Sequence, residues 1–98
     1  MRISEFQKLI RDLYFEKDKK RGLEKTFIWF VEEVGELAEA IRKGENVGEE
    51  IADVFAWLVS LANILGVDVE REVLRKYPYK CVKCNKIPCE CEEHVPDS

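Results

Sequence analysis

The sequence predicts an all-α fold: an antiparallel helical bundle completed by homo-oligomerisation, with a small cysteine-rich knuckle at its C-terminal end. Three observations carry the prediction. Apolar residues recur at helical spacing from Phe6 to Leu65, and Gly44 and Gly66 fall where successive patterns stop. The 98 residues are 37% charged and 46% hydrophobic, the balance of a folded helical chain rather than a disordered one. After Pro78 the helical period disappears, and all 4 cysteines fall between Cys81 and Cys91. A chain this short makes one small domain. Residues 1–78 are expected to form the helical unit, and residues 79–98 a tail belonging to the same compact unit.

Ser4 is expected to cap a first helix running to about Lys17, with Phe6, Leu9, Ile10, Leu13 and Tyr14 on its apolar side. Asp18-Lys19-Lys20-Arg21-Gly22 then reads as a basic break, either a solvated turn or a phosphate-contacting loop. A second helix follows from Leu23 to Lys43. Taking about 100° per residue from Val34, the residues Phe27, Phe30, Val31, Leu37, Ala38 and Ile41 lie within about 60° and define its core stripe. Glu33 lies about 100° to one side, Glu36 and Trp29 slightly farther round, and Lys25 and Glu32 near the opposite pole.

The connector from Gly44 to Gly48 is short, so the third helix, about Glu49 to Leu65, should return antiparallel. Its stripe is Ile51, Val54, Trp57, Leu58, Leu61 and Leu65. Glu50 falls about 40° inside that stripe and Asp53 about 100° to the same side. A carboxylate within an apolar stripe is costly to bury unless paired or coordinated. The helix is apolar nearly all round, which points to cover from another copy of the chain. Asp68 should cap a fourth helix, Val69 to about Lys76.

Charge and length exclude several function classes. A net charge of -4 and a pI near 5.1 argue against a general nucleic-acid binder. The stretch from Ile51 to Val67 is interrupted by Asp53, Ser60 and Asn63 and falls short of the roughly 20 residues of a membrane span. Met1-Arg2-Ile3-Ser4-Glu5 does not read as a signal peptide, so the cytoplasm is the expected location.

The chemistry lies in two acidic runs, Glu32-Glu33-Val34-Gly35-Glu36 and Glu50-Ile51-Ala52-Asp53. Acids at i and i+3 share a helix face, and two unit charges at about 4 Å repel by about 4 kcal/mol at an effective dielectric near 20. Two such pairs beside a core call for a cation; the alternative is a solvated charged face. Oxygen-only ligands suit Mg²⁺ or Mn²⁺ and leave room for phosphate oxygens.

The order E-E-x-x-E then E-x-x-D, within Trp29 to Asp53, resembles the MazG-like all-α nucleotide pyrophosphohydrolases, and the likeness extends from the first helix to Arg75-Lys76-Tyr77-Pro78. The resemblance implies Mg²⁺-dependent cleavage of a nucleoside triphosphate to the monophosphate and pyrophosphate, in a homodimer or homotetramer, as nucleotide-pool house-cleaning. By position Glu33, Glu36, Glu50 and Asp53 are similar to the family's magnesium ligands. Glu32 matches the acid before them and is the candidate to handle the attacking water.

Lys25, Arg75 and Lys76 are candidate phosphate contacts, or ordinary solvated cations. Trp29 and Trp57 could stack a base or simply fill the core, and Asn63 could bond a sugar or base. Cys81, Cys84, Cys89 and Cys91, spaced C-x2-C-x4-C-x-C, suffice for a tetrahedral structural zinc, with His94 as a substitute ligand. Two disulfides are the alternative. The rival functions are a phosphoribosyl-ATP pyrophosphatase, which shares the acidic helix pairs, and a non-enzymatic zinc-knuckle adaptor. Neither a membrane nor a nucleic acid is an expected partner.

Overall fold

The computed structural model describes residues 1–93, which form four helices: α1 (Ile3–Arg21), α2 (Leu23–Lys43), α3 (Val47–Leu65) and α4 (Val69–Lys76). Among the described residues there is no strand, and no single helix is long and apolar enough to cross a membrane. His94 lies outside the described residues.

α1 differs from expectation at both ends. Arg2 rather than Ser4 occupies the cap position. The Glu5 carboxylate accepts the Arg2 N–H at 2.9 Å, and Glu70 of α4 accepts the Ser4 N–H at 3.2 Å. Glutamates thus accept the free N–H groups at the start of the helix, which no serine hydroxyl caps. At the far end the basic segment is helical and stops only at Gly22, whose φ of 93° suits glycine alone. Asp18 and Arg21, one turn apart, pair at 2.9 Å, and Asp18 is only 2% exposed. A carboxylate docked against neighbouring helices holds the helical turn that a solvated run of charges would not.

α3 is the centre of the bundle, packed by both α1 and α2. α2 and α3 run antiparallel: Trp29 meets Trp57 at 5.6 Å between ring centroids, and farther along α2 Glu33 meets Glu50 and Asp53. Phe6 of α1 stacks on Phe55 of α3 at 5.3 Å.

The expected stripe of α2 divides in two. Thr26, Phe30, Glu33, Leu37 and Ala40 are buried or half-buried, whereas Phe27, Val31, Val34 and Ile41 are exposed. Both series have the 3-and-4 spacing of a helix face, and one helix partner covers only the first. In α3, residues Val59 to Asn63 are buried all round by this chain itself, and Ile51, Leu58 and Leu65 are left in an exposed line. α4 is capped as expected, Asp68 accepting the Arg71 N–H at 3.0 Å. Beside it Leu23, Phe27, Leu58, Leu65 and Val73 line an apolar groove of about 730 Å³.

Candidate active site

The helix registers bring three carboxylates together. One oxygen from each of Glu33, Glu50 and Asp53 lies within 4.8 Å of the others. Burial, followed by repulsion from Asp53, Glu50 and Glu36, holds the Glu33 carboxyl above the ordinary carboxylate range. Burial also leads for Glu50, followed by Asp53, Glu36 and Glu49, and its pKa is likewise raised. Glu33 and Glu50 share a side-chain hydrogen bond, which raises the first and lowers the second. The second Glu50 oxygen, Oε2, is buried with no hydrogen-bond partner. A hard divalent cation fits this set: it offsets the mutual repulsion of the carboxylates, takes carboxylate oxygens only, and supplies the partner that the orphaned oxygen lacks.

Glu36 acts on both half-buried glutamates through charge but stands outside the converging trio. Glu32 is exposed on the neighbouring face of α2.

Next to the acids is a cavity of about 370 Å³ walled by Tyr14, Lys17, Asp18 and Arg21 of α1, Trp29 of α2, and Asp53, Trp57 and Ser60 of α3. Asp53 thus belongs to both the trio and the cavity wall. The Arg21 guanidinium lies 4.8 Å from the Trp29 ring centroid and 5.0 Å from that of Trp57, and Lys25 lies 5.5 Å from the Trp29 ring. Asp18 Oδ1 accepts from Arg21, whereas its Oδ2 is buried without a partner. An unmet buried acceptor of this kind costs roughly 1–3 kcal/mol.

Sequence reasoning read the Asp18–Gly22 run as a solvated turn or a phosphate-contacting loop, and did not place it as a helical wall of this cavity. The only local signal was the i,i+3 pair of Asp18 and Arg21, and such pairs are usually solvated.

Three expected substrate contacts are placed elsewhere. Asn63, 3% exposed, is bonded to Gln7: its Oδ1 accepts from Gln7 Nε2 at 3.0 Å and its Nδ2 donates to the Gln7 carbonyl at 3.3 Å. Gln7 also donates to the Val67 carbonyl and accepts the Val69 N–H, so the pair ties α1 to α3 and to the turn before α4. Arg75 pairs with Glu72 on the surface of α4 at 2.8 Å. Lys76 lies over the Tyr77 ring and lines the apolar groove.

The four sulfurs of Cys81, Cys84, Cys89 and Cys91 lie within 4.8 Å of one another, and all four cysteines are free. Cys81 and Cys91 are 3.8 Å apart. Tetrahedral ligands at a Zn–S distance of about 2.3 Å stand about 3.8 Å apart, so the spacing suits a shared metal. Backbone N–H groups turn toward the sulfurs, Lys83 to Cys81 and Glu90 to Cys84, both at 3.4 Å. The N–H groups of Cys84 and Lys83, with the Cys89 thiol, bring the Cys81 thiol down to about 6. Its crowded neighbours Cys89, Cys81 and Cys84 push Cys91 up to about 12. Four thiolates cannot coexist here without a cation.

Direct comparison with curated proteins gave no match. The family profile of the MazG nucleotide pyrophosphohydrolase domain, in contrast, matches residues 21–84. That span takes in Glu33, Glu36, Glu50 and Asp53 as well as α4, Cys81 and Cys84, and begins at Arg21. With its acids gathered on two antiparallel helices inside the matched span, the chain belongs to the MazG family of nucleotide pyrophosphohydrolases.

Proposed function

We propose that this protein hydrolyses nucleoside triphosphates at the α-β phosphoanhydride, giving the monophosphate and pyrophosphate, with Mg²⁺ (or Mn²⁺) at the acidic cluster. The observation that carries the reading is the convergence of Glu33, Glu50 and Asp53 around an orphaned Glu50 oxygen. Glu33, Glu50 and Asp53 would hold the ion, and Glu36 would complete the set. When bound, it neutralises phosphate charge and makes a coordinated water more acidic. The protein's own contribution is positional. The rigid registers of α2 and α3 fix the carboxylates, and the cavity past Asp53 receives the nucleoside end of the substrate. Glu32, exposed beside the trio on the same helix, is the proposed acceptor of the water proton.

Two further assignments accompany this reading. The exposed faces of Phe27, Val31, Val34 and Ile41 on α2, and of Ile51, Leu58 and Leu65 on α3, suit a second copy of the chain, as a homodimer or homotetramer. The four cysteines hold a structural zinc that braces the cysteine segment, residues 79–93, against the helical unit formed by residues 1–78.

The test is product analysis. With Mg²⁺ present, a panel of ribo- and deoxyribonucleoside triphosphates, with phosphoribosyl-ATP included, should release pyrophosphate and monophosphate in equal amounts. Release of orthophosphate alone, or no hydrolysis of any triphosphate, overturns the reading. Cleavage confined to phosphoribosyl-ATP replaces it with the narrower pyrophosphatase.

A further inference from the structure

Triphosphate hydrolysis makes no use of the cysteine cluster, yet the cluster is open to small molecules on one side. A recess of about 250 Å³ is walled by Cys81, Cys89 and Cys91 together with Lys80, Lys83 and Lys86. Cys89 is the exposed member of the four, whereas Cys84 is half-buried and stands outside the recess wall. We propose that this cluster is a site of reversible oxidation by hydroperoxides, which converts the four thiolates to two disulfides, Cys84–Cys89 and Cys81–Cys91, and releases the zinc. The inference rests on the zinc assignment made above and is independent of the pyrophosphohydrolase reading.

Access comes first. Structural cysteines are inert when their sulfurs are buried, and oxidation follows exposure. None of these four is buried, and residues 77–93 contribute no helix or strand that would shut the recess. The three lysines put positive charge on the same wall, where the oxygen that departs from the oxidant carries negative charge.

Pairing follows from the turn. The Glu90 N–H donates to Cys84 Sγ at 3.4 Å, which sets the preceding residue, Cys89, beside Cys84. Cys81 and Cys91 already lie 3.8 Å apart, sulfur to sulfur. Closing that gap to the S–S length of about 2.05 Å is within reach of side-chain rotation. The Cys89 thiolate attacks the terminal oxygen of the hydroperoxide R–O–O–H and breaks the O–O bond. Sulfur is oxidised to the sulfenic acid, and the other oxygen leaves as an alcohol after taking a proton from water. The Cys84 thiolate then attacks the Cys89 sulfur, forming the disulfide and expelling hydroxide, which is protonated to water. With two thiolates left, half of the tetrahedral set is gone and zinc leaves. A second hydroperoxide joins Cys81 to Cys91 in the same way. Two hydroperoxides and four protons thus give two alcohols, two waters, two disulfides and one Zn²⁺.

The test uses the wild-type chain and needs no variant to fold. Zinc and free thiols are counted in the purified protein, which is then treated with a small molar excess of cumene hydroperoxide beside an untreated control. The treated protein should lose its zinc and all four thiols, and dithiothreitol with added zinc should restore both. Cleavage after Lys83, Lys86 and Glu90 separates all four cysteines, so mass spectrometry of the oxidised digest reads the pairing directly. It should find Cys84 linked to Cys89 and Cys81 linked to Cys91.

Zinc and thiols retained through the treatment overturn the proposal, as do sulfinic or sulfonic acids in place of disulfides, or disulfides between chains. Links from Cys81 to Cys84 and from Cys89 to Cys91 overturn the assigned pairs. The two readings fail separately. Purified protein with four free thiols and no zinc removes the zinc assignment, whereas zinc that is present and survives the hydroperoxide removes the oxidation.

Discussion

Among the described residues two clusters are fit to hold a metal, and they are built on opposite principles. The acidic trio is assembled by rigid helices: Glu50 and Asp53 share one face of α3, and Glu33 is brought to them by the antiparallel register of α2. Its geometry exists before any ion arrives, and the cost is stored as raised carboxyl pKa values and an unpartnered oxygen. The cysteine cluster sits on a segment without regular structure, held by a few turn bonds such as Asn85 N–H to the Cys81 carbonyl at 2.9 Å and Cys81 N–H to the Lys86 carbonyl at 3.2 Å. In the first cluster the fold positions the ion. In the second an ion would position the fold. Hard oxygens on helices suit a cation that exchanges water and phosphate, and soft sulfurs on a loop suit one that stays.

The contrast is broken most severely at Glu50. Glu50→Gln keeps the shape of the helix and removes the charge, so pyrophosphate release should fall at least about a hundredfold while helical circular dichroism is unchanged. A loss of threefold or less would show that the cluster is only a charged face.

Next in size is Asn63→Ala. It should destabilise the chain by about 1–3 kcal/mol, since Gln7 loses its partner between α1 and α3, while KM stays within twofold. A raised KM with an unchanged melting temperature would return Asn63 to the substrate.

Smaller still is the effect of Cys84→Ser or strong chelation. Zinc content should drop from one per chain to none, and proteolysis in residues 79–93 should quicken roughly tenfold, with helicity and turnover retained within a few-fold. If the helices melt together with the knuckle, the two clusters are not independent.

The difference between the clusters also explains what could be read without a structure. α2, α3 and α4 were legible because their stops are local: Gly44, Gly66 and the Asp68 cap each act within a turn. Glu50 could be singled out because an acid inside an apolar stripe shows on a helical wheel, and within the trio it proves to be the acid with an unpartnered oxygen. The division of the α2 stripe was not legible, because periodicity does not distinguish the face that meets α3 from the face left for another surface. Asp18 and Arg21 were hidden for a related reason. The charged run read as a solvated turn or a phosphate-contacting loop, and neither reading puts Arg21 on the distant Trp29 and Trp57. The spacing of Cys81, Cys84, Cys89 and Cys91 was visible at once, but spacing alone left zinc and disulfides open. The common geometry of four free sulfurs required the folded turn.

The smallest and most discriminating effect is that of pH. Glu33 and Glu50 have folded pKa values above their unfolded ones, so between those values the native state binds more protons than the unfolded state. Stability then falls as pH rises. Their contribution is fully present below the ordinary carboxylate pKa and is lost as pH climbs through the raised values. Mg²⁺ held by these acids would act in the reverse sense, binding once they ionise and stabilising the native state by mass action. Thermal melts of metal-free protein should therefore show a decline across this acidic window that is weaker in Glu50→Gln, where one of the two titrating groups is gone. Added Mg²⁺ should leave the melting temperature unchanged at the acid end and raise it near neutrality. A Mg²⁺ effect of the same size at every pH would place the ion away from these carboxylates. The cysteine cluster cannot produce this signature: acid displaces zinc from thiolates as well, but the proton that replaces it leaves the loop without its brace, so there acid and chelation act in the same direction.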